Sequence, residues 1–348
     1  MKTAVVILNW NTKGFLEKFL PGLVASVHGL DAEVIVADSA SWDDSLEVLS
    51  REFPSVRQIP LDKNYGFTGG YNRALAQVEA EYFVLINSDI EVPKGWLKPL
   101  VAWMDSHPKC GACGPKLLSL MDRTAFEYAG AAGGYIDRYG YPFCRGRVMK
   151  IVEKDNGQYN TPADVFWVSG ACLMIRSRLW KKLGGLDDRF FAHMEEIDLC
   201  WRLQLAGYRV TVIPQSYVYH LGGGTLPNDS PVKLRFNYRN NLLLLENNLA
   251  KTFRAQGYSV EGALGKARRR ILVRMLLDGA SAVSYLVTKK WDCYKAVVKA
   301  HTEYFKLRRK PNPDEVAFQQ KEVTIHGWYP KWMVPRALMG KIPSLRSE

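Results

Sequence analysis

The 348-residue chain predicts an α/β fold, a mostly parallel sheet flanked by helices, followed by a C-terminal helical extension. Three observations predict it. Short apolar runs alternate with amphipathic stretches through the first half. Polar clusters close those runs: Asn9-Trp10-Asn11, Asp38-Ser39 and Asn87-Ser88-Asp89. After Pro231, helical segments rich in Leu, Arg and Lys take over.

Residues 4–8 form a continuous apolar run suited to a strand buried on both faces. Residues 14–27 carry apolar side chains at helical spacing, and 33–37 read as a second strand. Ser41-Trp42-Asp43-Asp44 supplies a cap for a helix running to Phe53. Residues 56–59 suit a third strand, 66–78 a glycine-rich turn feeding a helix, and 82–86 a fourth strand. Between 119 and 162 the pattern loosens into glycine, tyrosine and charge, which predicts a loop-rich excursion over the site. Strands are expected at 165–168 and 171–175, a helix at 195–206, and strands at 208–213 and 217–219. Helices over 232–253, 262–288 and 291–307 precede a tail rich in proline and basic residues. The change of character places one domain over 1–231 and a basic amphipathic helical region over 232–348.

The formal charge of +12 points to a polyanionic partner: nucleic acid, an anionic membrane face or phosphorylated substrates. The six cysteines include one C-x-x-C, Cys110 to Cys113, with no second pair at zinc-site spacing. Sparse, scattered thiols suit a reduced, cytoplasmic protein. The apolar run at the N-terminus is too short for a signal-peptide core. Residues 271–287 are the best candidate for a membrane span, but Arg274 and Asp278 interrupt them. The expectation is a soluble or peripherally attached protein.

Four constellations carry chemistry. Asp89 ends a strand, where a carboxylate suits either a divalent cation or a turn. Glu195, Glu196 and Asp198 open an amphipathic helix, where they favour its dipole or supply a general base. His220 ends a strand before Leu221-Gly222-Gly223-Gly224-Thr225, as a turn residue or a metal ligand. Asn64-Tyr65-Gly66-Phe67-Thr68-Gly69-Gly70-Tyr71-Asn72 lets backbone amides approach a phosphate or a base, although it is not G-x-G-x-x-G.

In order and spacing these segments resemble the family 2 inverting glycosyltransferases of the GT-A fold, especially the bacterial rhamnosyltransferase-like branch. The resemblance begins at Val5 to Asn11 and Val36 to Ser41, and continues through Asn64 to Asn72 and Asn87-Ser88-Asp89. It resumes at Val168-Ser169-Gly170-Ala171, Phe191 to Arg202 and His220 to Gly224, covering about two thirds of the chain. It implies that Asp38 binds the nucleobase, and that Asn9, Asn11, Asn64, Gly66, Phe67, Gly70, Asn72 and Ser88 line the nucleotide pocket. Asp89 and His220 would hold Mn²⁺ or Mg²⁺. Trp167, Gly170, Ala171 and His193 would lie where donor and acceptor meet. Two departures stand out: Asn87 replaces the first aspartate of the D-x-D motif, and Glu196 replaces the aspartate usual as general base. That longer carboxylate leaves Glu195 or Asp198 open as the base; by its alignment Glu196 ranks first, then Glu195, then Asp198.

The implied reaction is a single displacement that moves a sugar from a nucleotide-diphosphate donor to an acceptor hydroxyl with inversion. A glycan or lipid-linked glycan is the implied acceptor, and nucleic acid is not a partner. The basic helices would suit an anionic inner membrane face or a second subunit, as in a homodimer. A nucleotidyltransferase would share the nucleotide-binding sheet, but would carry a glycine- and arginine-rich loop where Asn9-Trp10-Asn11-Thr12 stands. A non-catalytic nucleotide-sugar binder would explain the charge without needing Asp89, Glu196 and His220 together.

Overall fold

The computed structural model describes residues 1–128, 130–222 and 230–339. The first half runs β1 (Thr3–Asn9), α1 (Lys13–Val27), β2 (Ala32–Asp38), α2 (Ser45–Glu52) and β3 (Arg57–Pro60). It continues through α3 (Gly66–Leu75), β4 (Tyr82–Ile86), β5 (Ile90–Glu91), α4 (Leu97–Ser106) and β6 (Cys110–Ser119). Side chains alternate across these strands. Ala4, Val6, Ile35, Ala37, Phe83 and Leu85 face one core layer. Val5, Ile7, Val34, Val36, Val84 and Ile86 face the other, against α1, α2 and α4. Burial on both faces is why each strand reads as an unbroken apolar run.

Past β6 come β7 (Gly134–Asp137), β8 (Pro142–Cys144), β9 (Arg147–Val148), β10 (Ile151–Val152), β11 (Ala163–Asp164) and β12 (Cys172–Arg176). Then follow α5 (Ser177–Leu183), α6 (Glu195–Leu205) and β13 (Arg209–His220). The main sheet is ordered β11-β13-β6-β12-β4-β1-β2-β3, with β5 paired to β13. β3, β2, β1 and β4 are mutually parallel, and β12 enters antiparallel between β4 and β6.

Three expectations change. The 119–162 excursion folds into a second, five-stranded sheet, β10-β9-β8-β7-β14. Its last strand, β14 (Trp328–Tyr329), comes from the C-terminal tail and pairs in parallel with β7. The strand expected at 165–168 does not form: Val165 still donates to Val210 O, and the chain then leaves the sheet to bridge Trp167 to Gly134. The two strands expected at 208–219 are one, because β13 holds its pairing with β6 across an irregularity at Ile213/Tyr217.

The remaining helices are α7 (Pro231–Ala255), α8 (Val260–Val287), α9 (Trp291–Leu307), α10 (Pro313–Ala317) and α11 (Met333–Leu338). α7 is part of the main core: Leu242 to Leu245 are fully buried, which contributes about 1.5–3 kcal/mol per side chain. Trp201 of α6 donates through Nε1 to Thr252 Oγ1 of α7 at 2.9 Å.

Candidate active site

The carboxyl ends of the parallel strands carry the first part of the site, as they do in open α/β sheets. Asn9 and Asp38 are register partners on β1 and β2. Asn9 Nδ2 donates to Asp38 Oδ2 at 2.7 Å, and Ser41 N donates to Asp38 Oδ1 at 2.8 Å. Asp38 is fully buried, so it fixes this loop. A contact to a nucleobase would have to share its oxygens with those two donors. Asn11, at φ 53, accepts from Trp42 N through its side chain and donates through its backbone to Ser41 Oγ. Thr12 Oγ1 links Asn9 to Ser88 Oγ, the latter at 2.9 Å.

Asn64 Oδ1 accepts from Gly66 N at 2.8 Å and sets the turn into α3. Gly66 must be glycine for two reasons: its φ is +71, and a Cβ there would stand 2.6 Å from the Phe191 carbonyl oxygen. Phe67 packs on Tyr71 and lies close to Gly170. Gly70 and Asn72, expected in the nucleotide pocket, are engaged elsewhere. A Cβ at Gly70 would stand 2.6 Å from Leu8 Cδ2, so its bareness brings α3 down onto β1. The Asn72 amide donates to Leu186 O and Asp188 Oδ1 and accepts from Leu186 N.

Asp89 lies between β4 and β5, and β5 brings it to the end of β13, where Ile90 is opposite His220. Both side chains are buried, with Asp89 Oδ1 3.2 Å from His220 Nε2. On the other side of the ring, Glu127 Oε1 lies 3.5 Å from His220 Nδ1. Burial opposes charge on this imidazole, but the bonds to Asp89 and Glu127 outweigh it and hold its pKa up at about 10. Glu127 was not legible in the sequence, for it stands in the irregular segment after β6 with no motif around it. Gly222 approaches it closely; Gly223 and Gly224 of the same motif lie outside the described residues.

The Asp89–His220 pair fits a divalent cation. Cation–donor bonds of roughly 2.1 Å place neighbouring octahedral ligands about 3.0 Å apart, close to the 3.2 Å observed. The carboxylate oxygen suits a hard divalent cation such as Mn²⁺ or Mg²⁺, the imidazole nitrogen is the softer donor of the two, and a cation here would take the place of the shared proton. The described residues hold no group of three or more His, Cys, Asp or Glu arranged to bind a metal by themselves. The other ligand positions would fall to donor phosphates and water.

The second part of the site follows a strained loop. Phe191, His193 and Met194 all have positive φ, at 62, 71 and 73, a conformation that is costly for residues with a side chain. Donors hold it from both sides. Thr68 N of α3 donates to Phe191 O at 3.2 Å. Asn240 Nδ2 of α7 reaches the carbonyls of Phe190, Ala192 and His193 at 2.7–2.9 Å. Arg239 Nη2 also donates to Phe190 O, and its Nε fixes the Asn240 amide. No motif marks these residues in the sequence, where α7 falls in the C-terminal helical region.

From this loop the chain enters α6. Glu195 is buried and Glu196 half-buried, and Oε2 of each has no hydrogen-bond partner among the described residues. Burial pushes the Glu196 pKa up to about 7. Burial, and then the Glu196 charge, raises Glu195 well above the usual carboxylate range. Glu196 Cβ lies 3.4 Å from where a Gly170 Cβ would stand. The next residue, Ala171, accepts from Asn87 N, and the Asn87 side chain lies 3.5 Å from His220 Nε2. The His193 imidazole has an unpartnered Nε2, and burial, then Lys233, lowers its pKa to about 4.

Asp198 and Trp167 are placed differently from expectation. Asp198 is fully buried and accepts from Arg202 Nε, Asn247 Nδ2 and Asn248 Nδ2 at 2.7–3.0 Å. With its oxygens committed to tying α6 to α7, it is unsuited to proton transfer. Trp167 is buried with Nε1 on Tyr135 O, and fastens the second sheet to the core.

A family model described as glycosyl transferase family 2 matches residues 4–184. An N-acetylglucosaminyl-diphospho-decaprenol L-rhamnosyltransferase of Mycobacterium tuberculosis is 25% identical over 290 residues, covering 78% of this chain and 93% of that relative. Among solved structures, the mannosyltransferase PcManGT from Pyrobaculum calidifontis, in complex with GDP-Man and Mn²⁺, superposes with a TM-score of 0.52 at 16% identity, covering 88% of each chain. S. aureus TarS 1-349 in complex with UDP-GlcNAc gives a TM-score of 0.52 at 18% identity, covering 87% of this chain and 92% of TarS.

Proposed function

The chain belongs to glycosyl transferase family 2 and is a glycosyltransferase of the GT-A fold, and from that premise we propose how its own residues divide the reaction. A sugar passes in one in-line displacement from a nucleotide diphosphate to an acceptor hydroxyl, with inversion at the anomeric carbon. Glu196 takes the acceptor proton. A half-buried carboxylate with one unpartnered oxygen and a pKa near 7 suits a base working at neutral pH. Glu195, behind it, keeps a proton, which spares the site a second buried negative charge. Asp89 and His220 would hold a divalent cation, Mn²⁺ or Mg²⁺, which supplies neutralisation of charge on the departing diphosphate. Asn9, Asn11, Asp38 and Ser88 shape the nucleotide end, and Gly170 leaves room between Glu196 and Phe67.

The rhamnosyltransferase relative supports a lipid-linked glycan as acceptor. An acceptor carried on a lipid would be met at a membrane face. The observation that carries the reading is the join between the two ends. Glu196 lies beside Gly170, and the neighbouring Ala171 is bonded to Asn87, which reaches His220. A thermal-shift panel of nucleotide diphosphates and nucleotide sugars, with and without Mn²⁺, tests it. At a hundredfold excess over its dissociation constant the right nucleotide adds about 2.7 kcal/mol. The expected result is a Mn²⁺-dependent shift for one base that Asp89→Ala abolishes. A shift that is independent of both metal and Asp89 would refute the assignment.

A further inference from the structure

α8 is apolar on more than its inward face, where Ala263, Ala267, Ile271 and Met275 pack on the core. Its inward face buries an ion pair: Arg274 Nε donates to Asp278 Oδ1 at 2.7 Å, with His301 Nε2 3.3 Å from Asp278 Oδ2. Its outward face is aliphatic. Leu272, Leu276, Val283 and Val287 follow at spacings of four, seven and four, so they form one stripe, and each is 58–75% exposed. Trp291 and Val298, seven residues apart on α9, are exposed beyond the turn. An amphipathic helix ordinarily turns its apolar stripe to the core. The described helices include none long and apolar enough to cross a membrane.

The rim decides what covers this face. Arg268 and Arg269 precede the stripe and Lys289 and Lys290 follow it, all four exposed. Residues 260–310 contain thirteen Lys and Arg against four Asp and Glu, so most of the +12 charge is gathered here. A second copy docking through this face would bring basic end against basic end, whether the two helices ran parallel or antiparallel. An anionic bilayer complements both features: lipid takes the aliphatic stripe and Trp291, and headgroups take the four cations.

We propose that the outward face of α8, with the turn into α9, docks this enzyme on an anionic phospholipid surface. The inference deepens the lipid-linked acceptor reading, and rests on it for its purpose. The docked helices are tied to the catalytic loop: Glu303 of α9 pairs with Arg235 and Arg239 of α7, and Arg239 donates to Phe190 O.

Flotation tests it with vesicles of equal parts phosphatidylcholine and phosphatidylglycerol, against phosphatidylcholine alone, with no donor or acceptor present. A failure here would therefore leave the transfer reading standing. The full chain should float with the anionic vesicles only, and high salt should release it. Lys289→Gln/Lys290→Gln should lower partitioning about thirtyfold. Leu276→Gln/Val283→Gln should abolish it while circular dichroism and the melting temperature stay unchanged, the sites being exposed. If that pair fails to fold, Leu272→Gln alone should still weaken binding. No flotation, or equal flotation of the folded variants, would overturn the proposal. So would a dimer by light scattering that Leu276→Gln/Val283→Gln converts to monomer, which would make a second copy the occupant.

Discussion

Asp89 and His220 stand at the ends of paired backbone: Asp89 lies between β4 and β5, and β5 meets β13 at Ile90 and His220. Glu195 and Glu196 instead follow a loop in which three residues with side chains have positive φ. That loop keeps its shape because Thr68 N, Asn240 and Arg239 bond its carbonyls. The proposed cation end of the site is thus set by the sheet. The proposed base end is set by donors from α3 and α7, some 50 and more residues away along the chain. Changes to the sheet-borne end should act on donor and metal binding, and changes to the loop-borne end on the rate.

The largest expected effect is that of Glu196→Gln, which should lower kcat on the order of a hundredfold to ten-thousandfold with donor KM little changed. In the unsubstituted enzyme kcat/KM should rise with pH through about 7 as Glu196 ionises, and the variant should lack that limb. The sign for stability is opposite. Because burial raises the Glu196 pKa, its stabilising protonated form is present at low pH and lost as pH rises through about 7. Urea unfolding across that range should therefore show a decline that Glu196→Gln flattens.

Next in size is Glu127→Gln, which leaves His220 without its carboxylate partner on Nδ1. It should weaken Mn²⁺ binding about tenfold to a hundredfold, read directly by electron paramagnetic resonance titration. A change confined to kcat, with Mn²⁺ affinity intact, would break the division between the two ends. The smallest is Asn240→Ala, which takes the side-chain donor from the Ala192 and His193 carbonyls and leaves Phe190 O to Arg239. Urea unfolding should register a loss of about 1–3 kcal/mol, and kcat should fall more than donor KM changes. Equal changes in both would show that Asn240 serves the fold alone.

What was legible in the sequence follows the same division. β1, β2 and β4 announce themselves because both faces are buried, and Asn9, Asp38 and Asp89 are found by their place at strand ends. The Glu195-Glu196 pair is found as a carboxylate cluster at a helix start. Long-range donors leave no such local trace. Asn240 sits within a run of polar and aliphatic helix residues, and Glu127 in an irregular segment that becomes its own sheet once β14 arrives from the tail. Asn72 and Asp198 show the converse: polar residues near a site motif can be consumed by packing, Asn72 on Leu186 and Asp198 on α7.

Calorimetric titration of the donor nucleotide sugar in Mn²⁺, run in parallel with turnover on Asp89→Ala and Glu196→Gln, tests the division of labour most directly. Glu196→Gln should bind donor as the unsubstituted enzyme does and fail in transfer, while Asp89→Ala should lose the Mn²⁺-dependent part of donor binding. Donor binding lost in Glu196→Gln, or Mn²⁺-dependent binding retained in Asp89→Ala, would contradict it.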